Sequence, residues 1–144
     1  MEAQYYVPKI SEFHFGFEYE FKSDNNCGYH SKHDCKEWTS QVFSAGSCSE
    51  ENSEIECIEM AINKQDCDVR VKCLDEQDII DLGWHDNLFL DKDGYIYRIE
   101  HINGKVLIYK IMTAAHKQDM VLFLGNIKNK SELKRIMQML KIIE

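Results

Sequence analysis

Residues 95–112 read YIYRIEHINGKVLIYKIM, and the reading of this stretch decides the fold. Two runs rich in β-branched and aromatic residues flank Asn103-Gly104, a dipeptide in which both residues accept the positive φ of a type I′ turn. The pattern predicts an antiparallel hairpin. On its N-terminal side, NLFLD followed by the turn DKDG adds a strand and makes a three-stranded meander. On its C-terminal side, TAAHKQD forms a looser connection to VLFLGNI, a fourth strand. Asn129 then caps a helix with Glu132 three positions on, and Leu133, Ile136, Met137 and Leu140 recur at helical spacing. That helix is expected to cover the sheet.

The first half of the chain adds a second set of strands. In HFGFEYEFK, residues 14–22, Phe15, Phe17, Tyr19 and Phe21 alternate with Gly16, Glu18, Glu20 and Lys22. A period of two predicts a strand with one buried aromatic face. KEWTSQVF returns as its hairpin partner across a long polar loop. Between Ser53 and Lys64, Ile55, Ile58 and Ile62 recur at helical spacing behind a Ser53 cap, and Glu54 and Glu56 suit the first turn of a helix. VRVKC reads as a short strand. LDEQDIIDLGW then predicts a short helix with Asp75 as N-cap, Asp78 closing the capping box, Leu74 stapled onto Ile79 and Gly83 ending it. The expected fold is a single α+β domain over 1–144: an antiparallel β-sheet, built from an N-terminal hairpin and a C-terminal meander, covered by two or three helices including the C-terminal amphipathic one.

The blocks FGFEYE, WTSQVF, VRVKCLDEQDIIDLGW and GNIKNKSELKRIMQMLKI, in this order, resemble a group of uncharacterised small proteins of crAss-like and related tailed phages of Bacteroidales gut bacteria. Those proteins open on a similar aromatic-Glu strand, carry an R-V-K-Y-L-D-x-x-D-I-x-x-L-G-W block, and close on I-K-N-K-x-E-L-K-x-L-M. Cys73 stands here where that block often has Tyr. The resemblance spans nearly the whole chain except residues 23–35 and 113–118. It implies a phage-encoded protein and carries no assigned activity.

Composition narrows the function classes. The chain has 144 residues, 44% apolar and 29% charged, which are globular values, and no apolar run approaches the length of a membrane span. The first residues lack a basic region followed by an apolar stretch, so the protein is expected in the host cytoplasm or, failing that, in the virion. The six cysteines are then expected to be free thiols. The net charge of −8 falls between Glu50 and Asp81, where eleven acids meet three bases. A basic stripe is absent, which excludes direct nucleic-acid binding. Glu54, Glu56, Glu59, Asp75 and Glu76 are the candidate partner-binding residues: an acidic surface suited to a basic site on a host protein, or otherwise a solvated face.

Three further constellations carry residue types that chemistry uses. His14, Glu18 and Glu20 share the polar side of the first predicted strand, with the two carboxylates about 7 Å apart. An acid/base pair can be built so, but polar residues are required on that face in any case. Cys27, His30, His33 and Cys35 carry the ligand types of a zinc site within nine residues. That spacing is tighter than the usual two pairs separated by a dozen residues, so no metal is expected. No cofactor motif is present: DKDG lacks the ligands of a calcium loop, and GNIKNKS lacks the second glycine of a phosphate loop. The function expected is a phage-encoded accessory binding module in the infected host cell, not an enzyme, acting on a host protein or a small signalling ligand. The alternatives are a minor virion or head-associated component and, third, a small hydrolase using Glu18 and Glu20.

Overall fold

A computed structural model describes residues 2–23, 37–46, 53–63, 67–86, 88–112 and 118–144. The protein is α+β, and its described residues form three α-helices and two four-stranded antiparallel sheets where one sheet was expected. The strands are divided between two compact units, Met1–Cys73 and Leu74–Glu144, each with its own buried apolar cluster.

In the first unit, β1 (Tyr5–Tyr6), β2 (Glu18–Ser23), β3 (Thr39–Val42) and β4 (Cys67–Lys72) are ordered β1-β4-β2-β3. Phe21 lies opposite Thr39 on one side and Val69 on the other. Tyr19, Phe21, Val69 and Val71 therefore point to one face, and α1 (Glu54–Ile62) lays Ile58 and Ala61 against it. Phe13 fills the gap left at the sheet's end, with its ring centroid 4.7 Å from Phe17 and 5.7 Å from Phe43. Ser53 caps α1 and Glu56 returns to the Ser53 N–H, the reciprocal box that satisfies two donors at the start of the helix.

The strand expected over 14–22 begins only at Glu18. Gly16 takes φ +84°, and the Phe17 N–H donates to the His14 carbonyl at 2.9 Å, closing a tight turn. Gly16 and Phe17 exchange backbone hydrogen bonds with Phe43, which pins that turn to the sheet. Phe17 stays in the core, but Phe15 is thrown outward and is 83% exposed, contrary to the buried face the alternation suggests.

In the second unit, α2 (Glu76–Asp81) has Asp75 as N-cap and Asp78 in the reciprocal position, as the sequence predicts. β5 (Phe89–Lys92), β6 (Tyr95–Ile102), β7 (Lys105–Ile111) and β8 (Met120–Asn126) follow in a sequential meander. Asn103 and Gly104 take φ of 51° and 78°, and Asp93 and Gly94 take 53° and 78°, so both tight hairpins use positive-φ pairs. α3 (Lys130–Met139) inserts the fully buried Leu133 and Met137 against Ile99, Val106 and Ile108. The buried Trp84 indole N–H donates to Met137 Sδ at 3.3 Å, the polar handle of an otherwise apolar core. The register of β8 slips between Phe123 and Val121, a bulge that leaves Leu122 extra.

Candidate binding surfaces

The strand β2 sends Tyr19 and Phe21 into the core and Glu18 and Glu20 to the opposite face. Glu20 is taken by Arg70 directly across the ladder, whose Nε stands 2.5 Å from Oε2. The Arg70 guanidinium lies 3.7 Å from the Tyr5 ring centroid and 4.1 Å from that of Trp38, a cation held between two π faces. His14 lies before β2, in the turn segment, with Nδ1 3.0 Å from the Glu12 carbonyl and its ring edge-on to Phe17. The shared strand face expected for His14, Glu18 and Glu20 therefore holds only for the two carboxylates, and Glu20 is tied into a stacked ion pair.

The five acids singled out as partner-facing fall into different environments. Glu54 is buried. Its Oε1 accepts from the Tyr19 hydroxyl at 2.9 Å, and its Oε2 accepts from the Ser44 and Gly46 N–H groups at 3.1 and 3.3 Å. This carboxylate joins the start of α1 to β2 and to the segment after β3, so its oxygens face the protein. Glu56 and Glu59 are exposed on α1, although Glu56 also serves its cap. Asp75 accepts from the Asp78 N–H at 2.9 Å as the cap of α2, and Glu76 beside it is exposed. Glu54, Glu56 and Glu59 belong to the first unit, whereas Asp75 and Glu76 belong to the second.

Charge divides sharply between the units. Met1–Cys73 holds 14 acids and 7 bases, a net −7, while Leu74–Glu144 holds 11 acids and 10 bases, a net −1. Among the described residues of the first unit, Glu2, Glu18, Glu37, Glu56, Glu59 and Asp68 are exposed, and Lys9 is the exposed base. Phe15 stands in this same acidic unit, at the tip of its pinned turn.

Sequence reasoning missed the uncovered face of the second sheet. Ile99, Val106 and Ile108 point to the helices, so the residues between them point away. The register places Leu107 beside Leu124 and Tyr109 between Arg98 and Val121 on that outer face. Ile102 is 67% exposed, Val121 61% and Leu124 68%. Tyr109 donates to Glu100 at 3.2 Å, and Arg98 stands 3.4 Å from the same carboxylate. Partial burial, and then this hydrogen bond, raise the Tyr109 pKa above its ordinary 10.0. At the β5 end, a shallow depression of about 650 Å³ is lined by His85, Asp86, Phe89, Asp91 and Ile96. The signal was present in the sequence: β6 and β7 carry apolar residues at both parities, which a strand with one wet face does not need.

Cys27, His30, His33 and Cys35 lie outside the described residues, and among the described residues no group of three or more His, Cys, Asp or Glu is placed to hold a metal ion. Cys57 and Cys73 are free thiols. No helix among the described residues is long and apolar enough to cross a membrane. Comparison of the chain with protein-family models, curated proteins and solved structures finds no match in any of the three.

Proposed function

We propose that the chain is a non-catalytic accessory binding module, encoded by a phage and acting inside the infected bacterium, whose acidic first unit occupies a basic site on a host protein. The observation that carries this reading is the partition of charge, −7 on the first unit against −1 on the second. A field of one sign on one unit steers a basic partner and repels nucleic acid. Phe15 supplies the apolar anchor that charge alone lacks, since an exposed aromatic on a rigid turn loses little freedom on burial. The phage origin rests on the resemblance of the FGFEYE, VRVKCLDEQDIIDLGW and GNIKNKSELKRIMQMLKI blocks. Among the described residues, the depression beside Phe89 is shallow and open, which favours a protein over a small signalling ligand there, since ligand sites bury most of their occupant. A hydrolase using Glu20 is disfavoured by its ion pair with Arg70.

The test is capture from a lysate of the host bacterium with immobilised full-length protein, comparing the natural sequence with Phe15→Ser and with the pair Glu56→Lys, Glu59→Lys. A basic protein retained by the natural sequence, released by salt and lost from both variants is the expected result. Identical retention by all three proteins would overturn the reading. The apolar outer face of β5–β8 favours a second reading, a minor head-associated component. Detection of the chain in mass spectra of purified particles would support that alternative against the first.

A further inference from the structure

We infer that the outer face of the β5–β8 sheet is a self-association surface whose occupant is the same face of a second copy of this chain. The apolar residues gather by register: Leu107 and Leu124 stand side by side and Val121 follows beside Tyr109, while Ile102, opposite Lys105, lies diagonally from Leu107. Large contiguous apolar patches on a folded surface mark interaction sites. A flat, twisted sheet face is best complemented by another such face, which packs on it about 10 Å away as the second layer of a sandwich.

Three features favour a second copy over a different partner. The face is electrically self-complementary, with Arg98 and Lys105 balanced by Glu100 and Asp91 on the same side of the strands. A two-fold contact presents each patch to itself, so a face holding both signs can pair its cations with the partner's anions. The unit bearing it has a net charge of only −1, so two copies meet there with little repulsion, whereas the first unit at −7 resists self-contact. The size suits a weak, concentration-dependent dimer. Three strands about 25 Å long and the four-residue β5, about half that length, spaced about 4.8 Å apart, give a footprint of roughly 400 Å² per copy, in the range of transient interfaces. The bulge at Leu122 belongs to the same design: it turns Val121 outward onto the patch while Leu122 and Phe123 remain packed against the core.

Such a dimer goes beyond the host-protein reading, because it doubles the acidic units that one assembly offers and so raises avidity without new contacts. The test is sedimentation velocity of the full chain at concentrations from about 1 to 100 μM, the range in which modest interfaces assemble. Alongside run Leu124→Lys and Val121→Lys, with Phe15→Ser as a control on the other unit. The natural sequence and the control are expected to shift from monomer to dimer together, and each lysine variant to raise the dissociation constant at least tenfold with an unchanged circular dichroism spectrum. A monomer at every concentration, or a dimer indifferent to both lysines, overturns the inference. Should one lysine variant misfold, the other decides. None of these outcomes depends on the host-protein capture, so the two readings fail separately.

Discussion

Glu54 occupies a position at which a carboxylate is tolerated only because every side of it is occupied. Burying an ion without partners is strongly unfavourable, and here Tyr19, Ser44 and Gly46 all donate to it. Glu54→Ala removes the acceptor those donors share and is expected to lower stability by about 3 kcal/mol, read as a fall in the midpoint of urea unfolding at constant slope. Glu54→Gln keeps part of the acceptor set and should cost less, on the order of 1–2 kcal/mol. Phe15 is the opposite case: with its ring in solvent, Phe15→Ser should change stability by less than about 0.5 kcal/mol in the same experiment. Neither role was legible in the sequence. A glutamate in the first turn of a helix reads as a dipole partner whether it points out or in, because the donors that draw it inward lie 10 and 35 residues away. Phe15 satisfied the alternation of its neighbours, and the turn that expels it is pinned in part by the distant Phe43 backbone. Tyr109 gives a pH signature. Its neutral hydroxyl donates to Glu100 and its folded pKa is raised, so the contribution is complete below pH 10.0, the unfolded value, and is lost as pH rises through the folded one. Tyrosinate absorbance should therefore lag in the folded protein relative to the urea-unfolded chain, and Tyr109→Phe should shrink that lag.

At the scale of elements the sequence was far more informative, because caps and tight turns are specified by residues three or four positions apart. The boxes at Ser53 and Asp75, the Asn129 cap and the Asn103-Gly104 turn all form as their residue types require. Asp75→Ala removes the acceptor of the Asp78 N–H and should lower stability by about 1 kcal/mol, seen in thermal unfolding by circular dichroism. Gly104→Ala places a Cβ at φ 78°, and a loss of about 1 kcal/mol is expected there although no neighbouring atom obstructs the methyl group. Strand partnership was less legible. VRVKC and the meander both read as strands, but nothing local states that β4 pairs with β1 and β2 while β5–β8 pair only among themselves. Pairing between β2 and β4 joins residues 50 apart, as Glu20 and Arg70 show, and is decided by which faces can be buried together. For the same reason the outer face of the second sheet was overlooked, since its apolar residues looked like core until the helices were seen to cover one side alone.

For the molecule as a whole, the property on which the proposed function rests is the unequal charge of its two units. The sequence disclosed the acidic stretch from Glu50 to Asp81, but it attributed to one surface carboxylates that the fold assigns to caps, to a buried network and to different units. What remains exposed on the first unit is still strongly acidic, and Phe15 projects from it. The central claim is that this acidic unit, anchored by Phe15, is held by a basic host protein. It is tested most directly by placing a photo-crosslinking amino acid at position 15, and separately at exposed Met139 of the second unit, in full-length protein produced in the host bacterium. Irradiation is predicted to join position 15 to one host protein of net positive charge, with the adduct lost when Glu56→Lys and Glu59→Lys are added and absent from position 139. Adducts that are the same from both positions, or that survive the charge reversal, would contradict it.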